Sequence, residues 1–181
     1  MDIVLGRPNH TENRLAKEVA VYDFLDRLNI EYWTVDHPAA YTMEDCQAVD
    51  AMLGTRMCKN LFLCNRQNTA FYLLLMPDDK PFKTKEVSHL IGSTRLSFAD
   101  GSYMEQFLNI TPGALSALGL MNDTENHVQL LIDDDLLQDE FIGCHPCVNT
   151  SSIKLRTRDL LGAFLEETHH PCTILHITGE A

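Results

Sequence analysis

Two short segments near the C-terminus carry thiols and imidazoles together, the groups that bind zinc or exchange disulfides. Residues 144–147 read Cys-His-Pro-Cys, and residues 169–172 read His-His-Pro-Cys. The first has the C-x-x-C spacing of dithiol oxidoreductases, and together the two segments offer enough ligands for tetrahedral zinc. Redox motifs of this kind follow an early strand and open a helix, whereas residues 148–150 predict a loop or a strand. A thiol or zinc protein centred on Cys144 and Cys147 is therefore only an alternative.

The other common catalytic signatures are absent. The chain contains no phosphate-binding G-x-x-x-x-G-K-[ST] loop, no dinucleotide-binding G-x-G-x-x-G and no H-E-x-x-H zinc motif. The segment nearest to a serine nucleophile elbow is Gly-Ala-Leu-Ser at residues 113–116. Its serine comes three residues after the glycine instead of two, so the spacing predicts a turn serine at Ser116 and no nucleophile.

Charge is distributed unevenly along the chain. The net charge of −12 disfavours general binding to polyanions. Residues 54–100 nevertheless hold seven basic and four acidic residues, a local charge of +3, whereas residues 121–140 hold seven acidic residues and no lysine or arginine. A one-sided basic region on an acidic protein favours docking of a short anionic segment over a long duplex. DNA is therefore not an expected partner.

Hydrophobic periodicity predicts an alternation of helices and strands without strict βαβ order. The apolar spacing of residues 12–29 predicts a helix with Thr11 as its N-cap, and a second helix is predicted between the cap Thr42 and the stop Gly54. Strands are predicted at 31–35, 60–64, 69–76, 95–99, 128–132, from 141 onward and at 172–178, and further helices at 83–91, 102–108 and 158–168. This pattern predicts an α/β (α+β) fold, a single compact domain over residues 1–181 with a mixed β-sheet and packed helices.

Membrane and export signals are also missing from the sequence. The longest apolar runs are far shorter than the ~20 residues of a transmembrane helix, and the N-terminus has no apolar stretch of signal-peptide length. We therefore expect a cytoplasmic protein without a membrane partner, whose six cysteines stay reduced.

Four motifs occur in an order and at intervals that resemble one family. They are KNLFL at 59–63, RLSFA at 95–99, TPGALS at 111–116 continuing to GLMND at 119–123, and GCHP at 143–146 followed by NT at 149–150. Over about residues 16–165 the chain resembles the ProX (PrdX) proteins, free-standing relatives of the editing domain of bacterial prolyl-tRNA synthetase within the YbaK superfamily. Where those relatives carry Ser-Pro-Phe-Gly, this chain has Ser-Ala-Leu-Gly at 116–119.

The resemblance implies a trans-editing deacylase with a YbaK-like fold, which hydrolyses the ester bond of mischarged tRNA(Pro) without metal, cofactor or covalent intermediate. Alanyl-tRNA(Pro) is the expected substrate, recognised at its acceptor end, with prolyl-tRNA synthetase as a further partner. Lys59 and His145 are the expected catalytic residues, Lys59 meeting the phosphate of the terminal adenosine and His145 shaping the pocket. Expected substrate contacts are Asn60, Pro112, Gly113, Ser116, Gly143 and Pro146; expected tRNA contacts in the basic region are Arg56, Lys80, Lys83 and Lys85.

Three readings remain open at this point. The first is the deacylase, acting on alanine or on another small amino acid such as serine or cysteine. The second is the thiol or zinc protein described above. The third is a module with the same fold that holds tRNA or a synthetase without chemistry.

Overall fold

The strands form two sheets that share one core. The structure is a computed structural model that describes residues 1–40, 42–56 and 58–180. The first sheet is antiparallel in the order β1-β2-β8-β7, formed by β1 (Ile3–Leu5), β2 (Tyr32–Asp36), β7 (Phe141–Cys144) and β8 (Ser151–Arg156). The second is mixed in the order β5-β3-β4-β6-β9, formed by β3 (Cys58–Cys64), β4 (Phe71–Pro77), β5 (Ser97–Phe98), β6 (Val128–Asp133) and β9 (Cys172–Leu175). The predicted class, a mixed α/β domain with helices packed on its sheet, is confirmed.

Helices cover both sheets. They are α1 (Ala16–Arg27), α2 (Met43–Leu53), α3 (Thr84–Leu90), α4 (Gly101–Leu108), α5 (Thr157–Asp159) and α6 (Leu165–Thr168). A π-helical turn over Leu160–Phe164 joins α5 to α6, and two 3₁₀ helices lie at Ala117–Asn122 and Asp134–Gln138. None of the helices in the described residues is long and apolar enough to cross a membrane.

Local sequence signals explain how several of these elements begin and end. In α2 the Thr42 hydroxyl accepts from the Asp45 N–H while the Asp45 carboxylate accepts from the Thr42 N–H, and Gly54 ends the helix at φ 67°. These predicted limits of α2 are confirmed. The predicted cap of α1 is wrong: Thr11 belongs to a turn in which its carbonyl accepts from the Arg14 N–H, and the helix begins at Ala16 after Leu15 without a side-chain cap.

The hairpin of β3 and β4 forms the centre of the second sheet. The two strands pair in continuous antiparallel register from Cys58 opposite Pro77 to Cys64 opposite Phe71. Every residue of β4 is buried because β4 lies between β3 and β6 and both faces of the sheet are covered. The main core fills the space between the two sheets, and a second cluster lies on the opposite face of the mixed sheet, around Val87 of α3.

A backbone bridge joins the two sheets where the predicted motifs lie. Arg56, just before β3, pairs in parallel with Ile142 of β7. This pairing brings the beginning of β3, with its Lys-Asn motif, next to the strand that carries Gly143. A cleft therefore forms where the two sheets meet, between the Lys-Asn motif at 59–60 and the Gly-x-His-Pro motif at 143–146.

Candidate active site

A cleft of about 480 Å³ is lined by residues of both sheets, at the beginning of β3 and at the end of β7. Its walls come from β3, α2, the end of β7 with the loop that follows, and the loop before the first 3₁₀ helix. Six of the residues that the sequence predicts for catalysis or substrate binding line it: Lys59, Asn60, Pro112, Gly113, Gly143 and His145. Residues up to 86 positions apart in the sequence thus meet in one cavity.

Lys59 is the second residue of β3 and lines the cleft. Alternation along the strand places it on the same face as Leu61 and Leu63, opposite to the face of Asn60 and Phe62. Its Nζ donates to the Lys80 carbonyl oxygen at 2.5 Å, in the turn after β4. An ammonium group has three N–H donors, so two remain for an anionic group of a ligand.

His145 is held as a neutral imidazole at the end of β7. Its Nδ1 lies 2.9 Å from the Ser151 carbonyl oxygen, and because a carbonyl only accepts, Nδ1 carries the proton. Burial lowers the pKa of His145, with a smaller contribution in the same direction from neighbouring His37. At neutral pH the ring is therefore uncharged, and its Nε2 is a hydrogen-bond acceptor.

A second histidine and a serine extend this polar wall. His37 Nδ1 donates to the Pro38 carbonyl at 2.8 Å, and its Nε2 is hydrogen-bonded to the Ser152 hydroxyl at 2.9 Å. Both side chains line the cleft, and the His37 and His145 ring centroids are 6.1 Å apart. His37 and Ser152 are not among the residues that the sequence predicts for the site. Neither residue belongs to one of the motifs that the sequence marks, and Ser152 lies in β8.

Gly143 lies directly beneath an acidic side chain. A Cβ at this position would lie 3.0 Å from Thr55 Oγ1 and 3.2 Å from Asp50 Oδ1. Any larger residue would therefore press on the Asp50 carboxylate, which lines the cleft from α2. Burial raises the pKa of Asp50 to about 6, opposed in part by a long hydrogen bond from Thr55 Oγ1 at 3.4 Å. The sequence offered no motif that singles out Asp50.

The Pro112-Gly113 turn and an aromatic side chain complete the cleft. Gly113 has φ 97°, a backbone conformation that side-chain-bearing residues rarely adopt. Phe98 of β5 also lines the cleft, and 65% of its surface is exposed. A large aromatic face open to solvent at a cleft is an available stacking platform.

Two predicted substrate contacts do not reach the cleft. Ser116 is 1% exposed, and its hydroxyl accepts from the Leu118 N–H at 3.1 Å at the start of the first 3₁₀ helix. Pro146 is buried next to His145 and is not part of the lining. The geometry gives both residues a role in supporting the walls, which agrees with a turn serine at position 116.

The predicted tRNA contacts divide into two groups. Lys80 Nζ lies 2.8 Å from carboxylate oxygens of both Asp133 and Asp135, and Arg56 lies 3.6 Å from Asp79 and 3.8 Å from Asp139. Lys83 and Lys85 are exposed near the start of α3, and the described part of the chain provides no ion-pair partner for either. The acidic residues 121–140 therefore fold against the basic region and neutralise part of its charge.

The thiol and zinc alternatives find no support in this geometry. Cys144 and Cys147 are buried, and burial raises the pKa of both thiols, that of Cys147 to about 12. His170 Nε2 is bonded to Asp123 at 2.9 Å and does not converge with the cysteines. Among the described residues, metal-ligand geometry occurs only at Asp133, Asp134 and Asp135, which do not line the cleft and of which two already bind Lys80.

Comparisons with known proteins identify the family. The model of the aminoacyl-tRNA editing domain matches residues 37–163. The prolyl-tRNA editing protein ProX of Acetoanaerobium sticklandii is 33% identical over 141 residues, which cover 78% of this chain and 86% of that protein. The prolyl-tRNA synthetase associated domain-containing protein 1 of Danio rerio is 34% identical over 163 residues, 89% and 86% of the two chains.

The fold is also found among solved structures. A protein described as a candidate trans-editing enzyme for prolyl-tRNA synthetase superposes with a TM-score of 0.66 at 16% identity, covering 90% of this chain and 98% of that chain. At 16% identity this structural similarity shows the fold alone, whereas the sequence matches show the family. Together with the cleft between the Lys-Asn and Gly-x-His-Pro motifs, they show that the chain belongs to the aminoacyl-tRNA editing domain family, among the prolyl-tRNA editing proteins.

Proposed function

We propose that this protein is a trans-editing deacylase that hydrolyses the ester bond of tRNA(Pro) mischarged with alanine. The observation that carries the proposal is the convergence of Lys59, Gly143 and His145 on one cleft. An enzyme of this kind works where tRNA is charged, in the cytoplasm, and six free cysteines agree with that location.

An aminoacyl ester is already activated, so the protein needs little covalent chemistry of its own. It must hold the ester, place a water molecule and stabilise the charge that develops in the transition state. In our proposal the two free donors of Lys59 bind the phosphate of the terminal adenosine, and neutral His145 accepts a hydrogen bond through Nε2. The ribose 2′-hydroxyl beside the ester assists proton transfer; replacing it with hydrogen should slow turnover.

Recognition of the acceptor end requires only a few contacts. The terminal bases of tRNA are single-stranded, and stacking of a base on an aromatic face contributes about 1–3 kcal/mol. Phe98 offers such a face at the cleft, and Lys83 and Lys85 remain available for phosphates further along the strand. Prolyl-tRNA synthetase is the partner expected to supply the mischarged substrate.

A size limit explains why such an enzyme acts on alanine. A synthetase pocket built for proline cannot strongly reject a smaller amino acid, because missing methylene groups are worth only ~1–3 kcal/mol. A second and narrower pocket accepts alanine and excludes proline. The apolar cleft between Gly113 and His145 is where we place this selection, with serine or cysteine as the alternative small substrates.

The test is deacylation of alanyl-tRNA(Pro) by the wild-type protein and by Lys59→Ala. Loss of a hydrogen-bonded charge contact should lower kcat/KM by roughly 10- to 100-fold. Lys17→Ala, on α1 outside the cleft, is the matched lysine control and should keep the wild-type rate. A wild-type protein that protects the ester from spontaneous hydrolysis would instead identify a non-catalytic binding module.

A further inference from the structure

The cleft contains charges of both signs. Among the described residues that line it, Lys59 is the basic side chain and Asp50 the acidic one, and the His145 imidazole is neutral. The proposed function uses Lys59 and leaves Asp50 without a role. A carboxylate in a small binding cleft therefore needs an explanation.

The position of Asp50 is unfavourable for a structural carboxylate. It lies near the C-terminal end of α2, where the helix dipole is negative and repels an anion. Its nearest side-chain donor is Thr55 Oγ1 at 3.4 Å, a long contact, and no cation in the described part of the chain lies within ion-pair distance of it. A partly buried carboxylate with so little compensation is typical of a group that meets a ligand.

The surroundings of Asp50 keep it open to the cleft. Gly143 lies next to Asp50 and has no side chain to fill the space, whereas a Cβ at this position would lie 3.2 Å from Asp50 Oδ1. The neighbouring thiol of Cys58 offers no charge, because burial raises its pKa to about 12. Asp50 thus lines the cleft beside Gly143, where a ligand in the cleft can contact its carboxylate.

We propose that Asp50 binds the α-ammonium group of the aminoacyl ester and restricts the enzyme to esters whose amine is free. The inference rests on the proposed function and adds a specificity residue to the same site. An aminoacylated adenosine carries an ammonium group on the amino acid and an anionic phosphate next to the nucleoside, and the cleft has one side chain suited to each. Esters whose amine is acylated, such as peptidyl-tRNA, lack the cation and are rejected.

The experiment compares two substrates of nearly the same shape. Alanyl-tRNA(Pro) is paired with lactyl-tRNA(Pro), in which a hydroxyl replaces the ammonium group, and kcat/KM is measured for the wild-type protein and for Asp50→Asn. The wild-type protein should prefer the alanyl ester by at least about 30-fold, because it loses a charge-assisted contact with the lactyl ester. Each rate is divided by the spontaneous hydrolysis rate of the same ester, because the ammonium group also makes the alanyl ester intrinsically more labile; on this scale Asp50→Asn should accelerate the two esters to within about threefold of each other.

Two further variants separate recognition from folding. Glu44→Gln removes a carboxylate from the opposite end of the same helix and should keep the wild-type preference. Asp50→Glu keeps the charge and should keep a preference for the alanyl ester at a lower rate, even if Asp50→Asn does not fold. An undiminished preference in folded Asp50→Asn, or a wild-type protein without preference, would overturn the role of Asp50. A wild-type protein that cleaves neither ester would overturn the proposed function itself.

Discussion

Replacing Asp50 with asparagine should stabilise the protein at neutral pH. Burial raises the pKa of this carboxyl group from the usual 3.8 to about 6, so the folded state holds its proton more tightly than the unfolded state. Stability therefore falls as the pH rises from about 4 to about 6, and above this range the folded protein carries the full cost of the ionised group. Asparagine removes that cost and keeps nearly the same shape.

The size of the effect follows from the change in pKa. The shift corresponds to about 3 kcal/mol for a fully buried group. Part of Asp50 reaches solvent, so we reduce this value to roughly 1–2 kcal/mol. For a chain of this length 1 kcal/mol changes Tm by about 2–4 °C, which predicts an increase of roughly 2–8 °C for Asp50→Asn.

Thermal unfolding followed by circular dichroism at pH 4 and pH 7.5 measures this directly. The increase in Tm should be present at pH 7.5 and nearly absent at pH 4, where Asp50 is protonated in the folded protein. Glu44→Gln, at the favourable end of the same helix dipole, should instead lower the free energy of unfolding by up to about 1 kcal/mol. An Asp50→Asn variant that melts at or below the wild-type temperature at pH 7.5 would refute this reasoning.

Three further substitutions test other parts of the account. Lys80→Ala leaves the fully buried Asp133 carboxylate without its cation and should lower the free energy of unfolding by roughly 3 kcal/mol, as measured by urea denaturation; an unchanged midpoint would contradict a structural role for this lysine. Gly143→Ala places a Cβ 3.2 Å from Asp50 Oδ1, and should lower kcat/KM at least about 10-fold in a deacylation assay with little loss of stability. Phe98→Ala removes the exposed aromatic face and should raise KM about 5- to 100-fold without changing kcat, whereas an unaltered KM would exclude stacking.

Local features of this fold could be predicted from the sequence because their signals are short-range. The Thr42 cap and the Gly54 stop of α2 each depend on a few neighbouring residues. The hairpin of β3 and β4 was likewise predictable from two apolar runs and the polar residues 65–68 between them.

Long-range pairings could not be predicted in the same way. β1, which is three residues long, was missed, and the open-ended strand prediction from 141 onward did not separate β7 from β8. The two sheets meet at a bridge between Arg56 and Ile142, 86 positions apart. Pairing at this distance depends on the packing of the whole core, which periodicity within one segment does not reveal.

The candidate site was predictable where the family motifs mark it, and not elsewhere. Lys59, Gly143 and His145 lie in recognisable motifs, and they line the same cleft. Asp50 lies on a helix whose sequence shows no catalytic pattern, so its approach to Gly143 became visible only in three dimensions. Lys80 belongs to a basic region in sequence, but the fold pairs it with Asp133 from a distant acidic segment.

The most direct test of the central claim is one reaction that contains both alanyl-tRNA(Pro) and prolyl-tRNA(Pro), labelled with different isotopes. Release of both amino acids is followed over time with the wild-type protein and without protein. Our account predicts rapid release of alanine, while proline leaves at the rate seen without protein. Equal release of the two amino acids would contradict selection by size, and release of neither above the spontaneous rate would contradict the proposed deacylase activity.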